Sequence, residues 1–375
     1  MDVFLEIILI FGFLILYKKR AKCFLLLVLL QGFSYFMQFL VDNTCIYSTG
    51  KTFFNACFVN LNLFLIIMPW SYCRLENIYI KKIKYFCFFK RCLYWVLSTN
   101  FVINVLILIF ILVYVPDITS FKTEHSYRNL YDSIPFFGLF FRYAYITQSF
   151  GYLAIPIVFY YLGRGEYKKC IWALILSCSS LISGFAFYSR AQIFTFVLMY
   201  FSSFLLLKNT LPINLQRRVE SIFKKVILII GGLFLLITII RFSAMDYYGD
   251  RIPKGSVIKD PIVYSIVSYA SQGYPNGLNQ LENYSDDKNL KGEQSFYLVY
   301  QCLAFFGIIS WDSEESIENI SRAYDYDGGA FHGYVCDMVY DFGYILTLLI
   351  SIIYCFYVKK SYIVSGLFLW SRCFY

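Results

Sequence analysis

The sequence predicts an all-α polytopic membrane protein of about ten transmembrane helices, with one large outer loop that contains short helices. Three observations predict it. Of the 375 residues, 59% are hydrophobic and only 15% charged, against roughly 25% charged in a soluble globular domain. Apolar runs approaching the ~20 residues that cross a hydrocarbon core recur along the whole chain. Basic residues gather in every second short loop between those runs, which is the pattern that orients a membrane protein.

The runs lie near residues 3–17, 23–41, 53–73, 92–115, 143–162, 170–188, 193–207, 226–240, 334–357 and 362–375. The first, VFLEIILIFGFLILY, has no basic leader and is followed by KKR, so it is expected to span rather than to be cleaved as a signal. The later runs have the length of helices and lack the ten-residue alternation of an outer-membrane barrel. The organisation expected is a bundle of about eight helices over residues 1–240, a large loop over 241–333, and C-terminal helices over 334–375.

Loops 18–22, 74–91, 163–169, 208–225 and 358–361 hold twenty Lys and Arg, whereas the opposite short loops hold only a few, Lys51, Lys122, Arg128, Arg142 and Arg190 among them. The basic set belongs in the cytoplasm. Both termini and residues 241–333 then lie outside. The net charge of +9 is thus an orientation signal and not a nucleic-acid footprint. The outer loop itself carries seven basic and thirteen acidic residues. Within it, SFYLVYQCLAFFGIISW at 295–311 is apolar enough to span, but spanning would reverse the charge pattern of everything after it. An interfacial or lipid-dipping helix is expected there. The twelve Cys are scattered through apolar runs with no CxxC pair and read as small hydrophobes. No metal-spaced cluster, Gly-rich phosphate loop, HExxH or GxSxG occurs, so chemistry without metal or cofactor is expected.

A charge at membrane depth is costly and marks candidate chemistry. Such residues are Glu6, Arg142, Arg190, Arg241, Asp337 and Asp341, and all but Glu6 fall at outer ends of spans or beside the outer loop. Arg190, in FYSRAQIFTF, and Arg241, directly after VILIIGGLFLLITII, have a plain reading as side chains that snorkel to the headgroups. Together, two guanidinium forks suit a diphosphate. His332, in GGAFHGY where the loop meets the ninth span, is one of two histidines and a candidate base or phosphate ligand. Asp337 and Asp341, four apart in VCDMVYDFGYIL, share a helix face about 6 Å apart along the axis. They can orient a hydroxyl acceptor, pair with Arg190 or Arg142, or bind a proton or cation in a transporter. The DFG string is no kinase motif, because no Gly-rich loop or HRD segment accompanies it.

Three stretches carry a resemblance: SGFAFYSRAQIFTF with its Arg190, IVSYASQGYPNGLNQLENY at the start of the large loop, and VCDMVYDFGYILTLL after it. In these, and in its layout, the chain resembles the Wzy-type oligosaccharide repeat unit polymerases, the O-antigen and capsule polymerases of the bacterial inner membrane. The resemblance implies a periplasmic loop, a membrane lipid environment, and undecaprenyl-diphosphate-linked oligosaccharide as donor and acceptor, with a chain-length regulator protein as a further partner. It assigns Arg190 and Arg241 to the diphosphate, His332 to the acceptor hydroxyl, and Asp341 and Asp337 to orienting or alternative acid roles. The loop residues Tyr264, Tyr269, Tyr274, Tyr284 and Tyr297 would stack on sugar rings, or else serve as interfacial anchors. An O-antigen ligase shares this layout, and a flippase or transporter of the lipid-linked unit would use the acids for ion coupling. The long loop and the lack of a visible internal repeat speak against a transporter.

Overall fold

The computed structural model describes residues 4–17, 21–41, 50–72, 86–114, 149–186, 190–243, 256–285, 289–293, 295–311 and 333–365, with a few single positions besides. All regular structure among the described residues is helical. In chain order the helices are α1 Phe4–Leu16, α2 Lys22–Val41, α3 Gly50–Ile67, α4 Phe86–Tyr114, α5 Ala154–Gly163, α6 Tyr167–Ala186, α7 Arg190–Leu207, α8 Ile213–Ser243, α9 Pro261–Ser271, α10 Gly273–Asn283, α11 Tyr297–Phe305 and α12 Tyr334–Ser365. Five stretches within the described residues are long and apolar enough to cross a membrane: Lys51–Tyr72, Arg91–Val113, Tyr167–Ala186, Gln192–Thr210 and Tyr334–Lys360. Three shorter apolar helices, Leu5–Leu16, Cys23–Gln38 and Phe150–Gly163, accompany them.

The chain divides into two compact units, Met1–Arg74 with Gly232–Ser365, and Leu75–Gly231 with Gly366–Tyr375. In the first unit, α1, α2, α3, α10 and α12 share one core. Phe13 stacks on Phe64 at 5.6 Å and meets Phe24 edge-on at 5.8 Å. The opposite faces of α1 and α2 are also apolar, with Ile8, Phe11, Ile15, Leu29, Phe33 and Phe36 exposed. Helices apolar all round belong in lipid.

The helices of the 241–333 segment pack into this unit. Asp260 caps α9 by accepting the Val263 N–H at 2.9 Å, with Pro261 in the first turn where its missing donor costs nothing. α9 lies along α2, where the Ser34 hydroxyl donates to the Ala270 carbonyl at 2.9 Å. α10, GYPNGLNQLEN, is mostly polar, yet Tyr274, Leu278 and Leu281 recur at helical spacing and are all buried. Its C-terminal end is closed by the Lys51 ammonium, which donates to the carbonyls of Glu282 at 2.6 Å and Tyr284 at 3.1 Å, a cation at the negative end of the helix.

In the second unit α4 and α6 share a seam of small and amide side chains. The Asn100 amide donates to Ser179 at 3.1 Å and accepts from Thr147 at 2.7 Å, and Ser177, Ser179, Ser180 and Ser183 are fully buried. Small residues and interhelical hydrogen bonds are what hold helices together where lipid is as apolar as the side chains. Gly151 seats a 3-10 turn, Phe150–Leu153, on this seam, and a Cβ there would stand 2.8 Å from the Ser180 nitrogen.

One boundary differs from the expectation, while the stretch 295–311 is, as expected, no span. Residues 208–225 are expected as a loop, but α8 already begins at Ile213, because INLQRRVESIFKK is built of good helix formers and Lys208 reaches back to Glu220 at 3.2 Å. The apolar stretch 295–311 contains only the nine-residue α11, about 13.5 Å long at 1.5 Å per residue and far short of a ~30 Å hydrocarbon core.

Candidate functional site

The site is built around an interruption in α12. Gly343 has φ 74° and ψ 172° inside the helix, a conformation open to glycine and strained for any residue with a Cβ. Such a break disturbs the ladder of helical hydrogen bonds just ahead of it, and backbone groups freed at membrane depth must find other partners. The Tyr340 carbonyl takes one from outside the helix, the N–H of Leu290 at 2.9 Å. Beyond the break the Thr347 hydroxyl donates to the Gly343 carbonyl at 2.7 Å.

Asp341 lies two residues ahead of the break and is only 1% exposed. Its Oδ2 accepts the N–H of Ser295 at 2.5 Å. The Ser295 hydroxyl meets the Met338 sulfur at 3.4 Å, and Phe296 packs edge-on against Phe342 with centroids 5.9 Å apart. Residues 290–293, with Ser295 and Phe296, are therefore a strap fastened along the first segment of α12, Tyr334–Phe342. It is braced by the residues that follow it: Trp311 donates to the Glu293 carboxylate at 2.9 Å, and the Tyr300 hydroxyl donates to the Lys291 carbonyl at 3.0 Å.

Beside the break stands a wall of tyrosines. Tyr284 meets Tyr340 at 5.2 Å and Tyr344 at 5.5 Å, both edge-on. The Tyr340 hydroxyl donates to the Gln280 carbonyl at 2.6 Å, and the Tyr344 hydroxyl donates to Asn55 Oδ1 at 2.7 Å. Behind it, Asn60 accepts from Tyr35 at 2.8 Å and donates to Tyr274 at 2.9 Å. Thr52 donates to the Glu282 carboxylate. The Asn55 Nδ2 and Gln280 Oε1 atoms are buried with no hydrogen-bond partner among the described residues.

The five residues given a role in the site from sequence fare differently. Asp337 and Asp341 do lie together on the first segment of α12, but Asp341 is buried under the strap while Asp337 is half-buried. His332 lies outside the described residues. Arg190 opens α7 in the second unit and Arg241 lies near the end of α8 in the first. The side chains of both arginines lie outside what is described. Of the loop tyrosines expected to meet sugars, Tyr264, Tyr274 and Tyr284 are buried and serve the packing of the first unit. The side chains of Tyr269 and Tyr297 lie outside what is described.

Sequence reasoning missed Gly343, Asn55, Gln280 and the strap. Looking only at ionisable residues passed over the amides, although Asn55, Asn60 and Asn62 in one apolar run were a readable sign. Nothing local could announce a contact between Ser295 and Asp341, 46 positions apart.

Long apolar helices enclosing buried amides and a buried carboxylate define an α-helical membrane protein. No family model, curated protein or solved structure matches the chain.

Proposed function

We propose that the protein is a membrane glycosyltransferase that polymerises undecaprenyl-diphosphate-linked oligosaccharide repeat units into O-antigen or capsular polysaccharide. It would work at the periplasmic face of a bacterial inner membrane, in the ten-span layout with both termini outside. The observation that carries the reading is Asp341, a buried carboxylate at a helix break on which a segment of the long loop is fastened. The resemblance of three stretches to the Wzy-type polymerases supplies the chemistry. A carboxylate held among helix ends is expensive and calls for a use.

In this reading the acceptor hydroxyl oxygen bonds to the anomeric carbon of the donor glycan as the bond from that carbon to the diphosphate oxygen breaks. The electron pair leaves with the diphosphate, whose charge Arg190 and Arg241 stabilise. His332 takes the hydroxyl proton. Asp341 and Asp337 orient the acceptor. No metal or redox partner enters the balance, because the glycosyl diphosphate is already activated.

The test is genetic and chemical together. Deletion of the gene leaves a single repeat unit on the lipid core, and Arg190→Ala, Arg241→Ala and His332→Ala each abolish polymer at unchanged protein level in the membrane. A core with no glycan at all after deletion would instead identify a ligase. Purified protein that moves lipid-linked repeats across liposomes without lengthening them would identify a transporter.

A further inference from the structure

The segment that follows the strap has the wrong surface for water. Val299 and Cys302 on α11, and Phe306 directly after it, are exposed, while Tyr300, Leu303 and Ala304 are half-buried. Phe306 is 73% exposed and Ile308 66%. A helix lying in water would show polar residues at such positions. Here they are apolar and the helix is too short to cross.

The patch does not stand alone. Phe296, itself 52% exposed, packs on Phe342, and just beyond the break α12 presents Ile345, Leu346, Leu349 and Ile353 outward. That stripe belongs to a stretch long and apolar enough to cross a membrane. Phe296, next to α11 in the chain, thus ties it to the segment of α12 that leads into a candidate span. The occupant this fits is the lipid surface, with the helix lying in the plane of the interface.

The same chain then runs back to the buried carboxylate. From Phe296 it is one residue to Ser295, whose N–H holds Asp341, and six to Leu290, whose N–H holds the Tyr340 carbonyl. We propose that α11 and the residues up to Ile308 form a lipid-seated lid, and that this seat, acting through the strap, keeps Asp341 covered. Asp341 becomes reachable when the lid leaves the lipid. Contact with a lipid-borne ligand is thereby coupled to exposure of the carboxylate, and the coupling does not depend on which reaction the protein performs.

The experiment uses the full chain in vesicles of phosphatidylethanolamine and phosphatidylglycerol. A nitroxide on Ile308→Cys, corrected for labelling of the unsubstituted chain, collides with oxygen in preference to an aqueous nickel chelate, whereas one on Lys259→Cys shows the reverse. In the same vesicles a water-soluble carbodiimide modifies Asp341 severalfold more in Ile308→Asp than in the parent chain, read by peptide mass spectrometry. Ser295→Pro, which removes the N–H, gives the same rise without moving the label at 308. A label at 308 that meets the nickel chelate as freely as one at 259 would overturn the lipid seat. Asp341 modification unchanged in both Ile308→Asp and Ser295→Pro would overturn the coupling. Neither readout uses glycan synthesis, so loss of the polymerase reading leaves both standing.

Discussion

At Asp341 a buried carboxylate oxygen meets the backbone N–H of an exposed residue, Ser295. A hydrogen bond contributes about 0.5–1.5 kcal/mol net, and one to a charged group about 1.5–3 kcal/mol. Asp341→Leu is therefore expected to lower the thermal unfolding temperature in detergent, whereas Asp341→Asn keeps an acceptor oxygen in place and loses less. On the proposed reaction both lose polymer, which separates the role of the charge from that of the bond. If Asp341→Leu is as stable as the parent chain, the strap contact is not part of the fold. Two positions on, Gly343→Ala forces a Cβ into φ 74° and should cost about 1–3 kcal/mol in the same measurement. The spacing of Asp337 and Asp341 was legible because a helix puts residues four apart on one face. Their unequal burial was not, since Ser295 and the break decide it from outside that spacing.

Among elements, legibility followed the source of each helix's stability. Runs such as those in α3, α4, α6 and α7 announce themselves, because in lipid a helix is the form that satisfies its own backbone. α10 does not, because a short polar helix draws its stability from tertiary burial of Tyr274, Leu278 and Leu281 and not from its own propensity. The break in α12 was hidden for a related reason, since one glycine in an apolar run is tolerated in many helices and only the packing around it selects the break. In the second unit the close approach of the 3-10 turn to α6 makes a sharp prediction. At Gly151 a methyl would stand 2.5 Å from both the Ser179 and Ser180 hydroxyl oxygens and 2.8 Å from the Ser180 nitrogen. The hydroxyls can rotate away, but the backbone nitrogen cannot. Gly151→Ala should therefore cost about 1–3 kcal/mol through overpacking, and Gly151→Ala with Ser180→Gly should not recover it. Full recovery in that double variant would show that only side chains were in conflict.

For the whole molecule the open quantity is sidedness, and the structure narrows it through α11. Had residues 295–311 spanned, α12 would enter the membrane from the side opposite to α9 and α10, against the alternation of basic loops. α11 is nine residues long, so that reversal has no helix to make it. Within the first unit three helix ends meet the same loop helices: α2 at Ser34 with Ala270, α3 at Lys51 with Glu282, and α12 at Tyr340 with Gln280. They belong to one side of this unit, and on the orientation expected from the twenty Lys and Arg of the alternate loops the cytoplasm lies at the other. Lys259, just ahead of α9, and Lys168, in the first turn of α6, are both exposed, and the charge-based orientation assigns them to opposite faces. An impermeant maleimide added to cells with a permeable outer layer should label Lys259→Cys, and should reach Lys168→Cys only after the inner membrane is opened, each corrected for labelling of the unsubstituted chain. Labelling of both from outside would undo the charge-based orientation. Labelling of Lys168→Cys alone would invert it and carry Asp341 to the cytoplasmic side, where a periplasmic polymerase has no use for it.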